Sequence, residues 1–254
     1  MSDGASSALT EPIIAPPFSD LSALPCSRLL AMRQAERDLF DVLTSFAREG
    51  RHPVHDVVSK ADGAYTTFTR YPEDGVGGGL DNSAWYYHAH DPADNRRWEE
   101  NGHFHCFGFA DRINAAASPL AAPPNVDSAA RGSVHLVALC VKSDGVPDRL
   151  FTLNRWASDE WLYPAADVIP LLDEFLIAND ARFNPTSRWL SAMVRLLQPQ
   201  IAWLLHERDR MLLEHKARVG DSFSEDATVE LTSLISFDLD EHLAALDHAT
   251  AGMD

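Results

Sequence analysis

Residues 83–90 read SAWYYHAH and residues 103–109 read HFHCFGF. Both are rich in aromatic residues and are bounded by polar or turn-forming residues, which is the composition of β-strands. Each carries an HxH pair, His88-Ala89-His90 and His103-Phe104-His105. Side chains alternate along a strand, so both members of each pair leave on one face. The segment Asp91 to Gly102 between the pairs is long enough for a hairpin loop. An antiparallel pairing with His90 opposite His103 puts His88 opposite His105, with all four imidazoles on the same face. Directly opposite Cβ atoms are then about 5 Å apart.

Such a cluster is costly without a partner. Four neutral imidazoles each need a hydrogen bond, and four charged ones repel. A metal about 2.0–2.1 Å from each nitrogen relieves both problems. His88, His90, His103 and His105 are therefore the expected metal ligands. Tyr86 and Phe107 share their face by parity, whereas Trp85, Tyr87, Phe104 and Cys106 point the other way. The Tyr86 hydroxyl is a candidate hydrogen-bond donor to a metal-bound species, or an aromatic anchor. His135 opens a later strand, and parity alone does not place it. The loop acids Asp91, Glu99 and Glu100 are candidate carboxylate ligands or orienting partners.

Outward from this pair, Tyr65 to Tyr71 is an expected strand ended by Pro72, and GVGGG at 75–79 reads as a mobile turn or lid. It lacks the strand-to-helix setting of a phosphate loop. Ser133 to Val141 (SVHLVALCV) is a buried strand. A Ser143-Asp144-Gly145 turn follows it, and Arg149 to Trp156 pairs back. Helices are expected over Ser27–Glu49, with Ser27 as N-cap, over Ala165–Ile177, over Ser187–Arg218, where Pro199 should kink or split the helix, and near Asp238–Leu246. Residues 1–20 read as a mobile arm and 21–254 as one domain, β-rich over 65–157 and mainly helical over 165–246. The fold class is α+β: an antiparallel sheet, open or barrel-like, with an N-terminal helix and a helical C-terminal third.

Composition narrows the function. The chain has 254 residues, with 21 Lys+Arg against 38 Asp+Glu and a formal net charge of −17. Such acidity argues against nucleic acid and against an anionic membrane surface as partners. Hydrophobic residues at 45% and charged residues at 23% exclude a disordered chain or a collagen. No stretch approaches a membrane span, and the N-terminal residues are not expected to act as a secretory leader. Cys26, Cys106 and Cys140 are odd in number and widely spaced, which suits free thiols in a reducing cytoplasm.

Arg155, after the RLFTLN strand, is a candidate clamp for a substrate carboxylate. Its alternative is a structural ion pair with Asp159 or Glu160. Nitrogen-rich ligation suits iron, copper or zinc. The leading expectation is a metal-dependent enzyme that oxidises or oxygenates a small molecule at non-haem iron or copper. Tyr86, Glu99 and Arg155 are its candidate catalytic residues. The alternatives are a zinc-dependent hydrolase or lyase with Glu99 or Glu100 as base, a non-catalytic metal-binding or sensing protein, and a structural staple for the hairpin. A homodimer through the C-terminal helices is a further expectation.

The paired motif YYHAH (Tyr86–His90) and GHFHCF (Gly102–Phe107) resembles that of a bacterial family known as a domain of unknown function. So do HLVALCV, RLFTLNRW and RWLSAMVRLLQPQIAWLLHERD farther along. The resemblance spans roughly Leu29 to Leu246 and implies one fold across that length. It implies no activity. The insert DPADNRRWEEN is longer and more polar than in the pattern. In style the HxH pairs are also similar to those of cupins, an analogy of presentation only.

Overall fold

The computed structural model of the protein describes residues 20–60, 66–67, 69–90, 100–124 and 131–253. The arm expected over 1–20 falls almost wholly outside these residues, as do Glu99 and the start of the strand expected at Tyr65.

The chain opens with α1 (Cys26–Arg48), whose Leu29, Met32, Ala35, Leu39, Val42 and Phe46 recur at helical spacing and are all buried. The helix begins at Cys26 with Pro25 at the cap, not at Ser27. Proline's fixed φ suits a helix start. A short helix unanticipated from the sequence, α2 (Pro53–Lys60), buries Val54 and Val57. Its polar residues hid so short an apolar pattern.

Six strands follow: β1 (Arg70–Gly77), β2 (Ala84–Ala89), β3 (Gly102–Phe109), β4 (Ser133–Val141), β5 (Pro147–Leu153) and β6 (Leu231–Ser236). They form one antiparallel sheet in the order β1-β2-β3-β4-β5-β6. The sheet is open, so the barrel-like option is set aside. β1 continues through Pro72 and into the glycines instead of stopping at Tyr71. This is tolerated because β1 is an edge strand, where a missing N–H costs no ladder bond, and because its register shifts between Tyr71 and Val76. Gly75, Val76 and Gly77 therefore belong to the sheet and are no separate lid. A side chain at Gly77 would run into the Ser83 carbonyl, and its φ of +94° favours glycine. β6 (LTSLIS) went unrecognised because its Thr and Ser interrupt the apolar run. The segment expected as a strand to Trp156 leaves the sheet after Leu153 and turns into α3 (Arg155–Ser158), capped by the Asn154 side chain.

Between β5 and β6 lie α4 (Ala165–Asp173), α5 (Asn184–Leu196) and α6 (Gln198–Val219). α4 ends at Asp173, short of the expected Ile177. α5 and α6 are the predicted long helix, divided at Leu197 with Pro199 in the first turn of α6. α7 (Leu239–Ala249) closes the chain, with the Asp238 side chain accepting from Glu241 N–H at 3.0 Å.

The two faces of the sheet differ. Trp85, Tyr87, Phe104, Cys106, Val137, Leu139, Leu150 and Ile235 join one core with the apolar residues of α1, α4, α5 and α6. Trp85 Nε1 donates to Ser187 Oγ at 3.0 Å, and the Phe104 and Trp189 rings meet edge-on at 5.4 Å. Each such large side chain contributes on the order of 2 kcal/mol through burial. The opposite face carries the histidines and a smaller apolar cluster of Ala138, Cys140, Phe151, Leu153 and Leu234.

Candidate metal centre

The parity expected of the HxH pairs holds, but their register differs by two residues. His88 lies opposite His103, and Tyr86, not His88, lies opposite His105. A shift of two keeps every side chain on its face. It moves His90 past the end of β2. Gly102, opposite Ala89, fixes this alignment: a Cβ there would run into the His88 carbonyl and the Tyr87 hydroxyl.

The histidines fall into two overlapping sets that can each hold a metal ion. His88, His103 and His105 offer ligand atoms within 4.8 Å of one another, and so do His90, Glu100 and His103. The ring centroids of His103 and His105 are 4.6 Å apart, and those of His88 and His103 5.4 Å. His88 and His105 are 6.2 Å apart. The Glu100 carboxylate is buried against this group, with Oε1 3.5 Å from His103 Nδ1.

His135 joins from β4. Its place depends on a bulge: Cys106 pairs with Val137, but the next residue, Phe107, pairs with His135. The extra residue, Leu136, turns His135 onto the histidine face. His135 Nε2 then lies 3.1 Å from His105 Nδ1. Burial pushes His135 down to about 3 and, with neighbouring imidazoles and Arg70 assisting, pushes His105 well below the usual histidine range. Both rings are therefore neutral at pH 7 and keep the lone pair that a metal needs. The Arg208 guanidinium adds to the effect on His135.

Cys106 faces away, as expected, in the helix-side core, where burial raises its thiol. Cys140 is opposite His103 on the histidine face. Burial and the adjacent Glu100 raise its thiol well above the ordinary range, so it is protonated at neutral pH.

Tyr86 lies with its ring centroid 4.7 Å from that of His105 and stacks on Phe107 at 5.4 Å. Burial raises its hydroxyl, so it is a neutral phenol. The Arg70 guanidinium covers the same ring, with Cζ 4.6 Å from its centroid. Nearby Glu160 is pushed up to about 7 by burial, against the opposing pull of a Ser133 hydrogen bond and Arg70.

Arg155 is not brought to the histidines by any of these contacts. It is buried, its Nε and one terminal nitrogen are held by Glu225, and its other terminal nitrogen donates to Asp159 at 3.0 Å. Its fork is filled by the protein's own carboxylates, which is the structural alternative. Glu99 lies outside the described residues. A cavity of about 610 Å³ follows the outer edge of β1, lined by residues such as Asp81, Asn179 and Arg182, and contains none of the histidines.

Sequence reasoning did not single out Arg70, and it named Glu160 only as an ion-pair partner for Arg155. Arg70 was readable in principle, because pairing β1 with β2 puts it opposite His88. Glu160 arrives from an irregular segment after α3 and left no periodic signal.

The chain belongs to the family described as a domain of unknown function, DUF6969, which matches residues 33–237. No curated protein and no solved structure matches the chain. Among the described residues, no helix is long and apolar enough to cross a membrane.

Proposed function

We propose that this protein is a metal-dependent enzyme that oxidises or oxygenates a small molecule at non-haem iron or copper. The observation that carries this reading is the set of half-buried His88 and buried His103 and His105, with ligand atoms within 4.8 Å. Two of these rings have their Nδ1 turned to a partner: His103 to Glu100 and His105 to His135. With its Nδ1 bonded to His135, His105 has Nε2 as its ligand atom and a fixed ring orientation, the usual way a protein supports metal-binding histidines. His90 and Glu100 are close enough to add ligands. Three imidazoles leave coordination positions open, and a bound iron or copper supplies oxygen chemistry there. Tyr86 presents a neutral phenol beside His105, able to donate a hydrogen bond to whatever occupies the open side. Phe107 and Phe151, packed against His103, His105 and His135, limit water around the site.

A second reading is favoured by Glu160. A carboxyl pushed up to about 7 beside Tyr86 is suited to proton transfer, as a zinc-dependent hydrolase or lyase requires. Glu160 takes the place of Glu100 as base, because Glu100 is turned toward His103 and Cys140. The free thiols of Cys26, Cys106 and Cys140 support the expected cytoplasmic setting. Pairing of two copies through the C-terminal helices would use α6, whose Leu213 and Val219 are exposed, since α5 is mostly enclosed.

Elemental analysis of protein purified without a histidine tag, beside His88→Ala, tests the reading. Iron or copper near one per chain, lost in the variant, is expected. Zinc near one per chain selects the second reading. Absence of metal in the parent chain refutes both.

A further inference from the structure

We propose that Arg70 and Glu160, on the histidine face around Tyr86, form the subsite that binds the substrate, and that the substrate is a small α-hydroxy carboxylate. The proposal rests on the site assigned above and names what that site receives.

Register places the cation. Arg70 is paired with His88, so its side chain leaves on the histidine face. Its guanidinium lies over the Tyr86 ring, which also meets His105 and Phe107. A cation–π contact of this kind fixes a guanidinium without consuming its N–H donors. Among the described residues, no carboxylate lies within 4.0 Å of Arg70, whereas Arg131, Arg155, Arg195 and Arg208 each hold one. Arg70 is exposed, so its fork remains open to a ligand. A carboxylate matches that fork in a bidentate manner.

Charge makes the residue necessary. At a net −17 the molecule repels anions, and an anionic substrate needs a local cation to approach the site. The partner for the other end of the ligand is Glu160. Its charge is felt at both Arg70 and the Tyr86 hydroxyl, yet among the described residues it lies beyond ion-pair distance of Arg70. The Trp161 N–H donates to the Ser133 carbonyl at 2.9 Å, which holds the adjoining Glu160 at the start of β4. A cation and a carboxyl held apart beside one ring suit a ligand with a carboxylate at one end and a hydroxyl close to it. A dicarboxylate would meet Glu160 with like charge, and a neutral alcohol would leave Arg70 unused.

The test uses lactate as probe, with lactamide as its uncharged counterpart. Binding is followed by calorimetry on the full chain, with metal content measured on the same samples. Lactate is expected to bind and lactamide not. Arg70→Ala should weaken lactate at least tenfold with metal content unchanged, and Arg70→Lys should retain part of the affinity. Equal lactate affinity in Arg70→Ala, or no lactate binding to the parent chain at full metal content, overturns the subsite. If the parent chain holds no metal but lactate still binds through Arg70, the metal assignment fails and the subsite stands.

Discussion

His105 Nδ1 and His135 Nε2 lie 3.1 Å apart across the β3–β4 pair, joined by a hydrogen bond between two neutral rings. One ring donates and the other accepts, so the bond sets the tautomer of both. With Nδ1 engaged, His105 presents Nε2 to the metal set. His135→Ala should leave the fold intact and weaken metal binding about 10- to 100-fold. Competition with a chelator of known affinity measures this, and unchanged affinity removes His135 from the site.

His103 belongs to both metal-binding sets, whereas His90 belongs to one. His103→Ala should therefore abolish metal binding, and His90→Ala should keep most of it. Metal analysis after dialysis separates them. Full retention by His103→Ala is incompatible with either set.

Gly102 is the point where β3 touches the His88 backbone. Gly102→Ala forces β2 and β3 apart beside the His88–His103 pair. The variant should stay folded, lose on the order of 2 kcal/mol of stability, and bind metal more weakly. Thermal unfolding and metal content check the two effects together.

Glu160 predicts a pH effect with a definite sign. Its carboxyl is pushed up to about 7 from an ordinary 4.5, so between these values the folded chain holds more protons than the unfolded chain. Its contribution to stability is complete below 4.5 and is lost as pH rises through 7. Glu160→Gln removes this dependence. Relative to the parent, the variant should gain on the order of 3 kcal/mol between pH 4 and pH 8. Denaturant unfolding at both values measures the difference, and a pH-independent difference contradicts the assignment.

Arg155 separates structure from chemistry. Its ion pairs with Glu225 and Asp159 tie α3 to the segment after α6. Arg155→Ala should cost on the order of 2 kcal/mol without changing metal content. Loss of metal at unchanged thermal stability would return Arg155 to the functional group.

The sequence made the shared face of the HxH pairs legible because parity survives a register error of two. It did not make the register legible, since that depends on close backbone contact at Gly102. Pro199 marked the break between α5 and α6, but the continuation of β1 past Pro72 required knowing that β1 is an edge. His135 was visible as a residue and invisible as a neighbour, because the bulge at Leu136 has no local sequence signature. Glu160 reaches Tyr86 through tertiary packing that no spacing rule encodes.

Alternation along β2 and β3 has a consequence for how such a protein can change over generations. Trp85, Tyr87, Phe104 and Cys106 lock the hairpin to the helices, while Tyr86, His88, His103 and His105 face the other way. Replacing every second residue can alter reactivity while the intervening ones go on holding the shape. A scan of substitutions through this hairpin should alternate in kind, with folding defects at one parity and loss of activity at the other. The backbone thus offers two independent alphabets on one ribbon, and lineages could exchange metals or substrates on one side without rewriting the other.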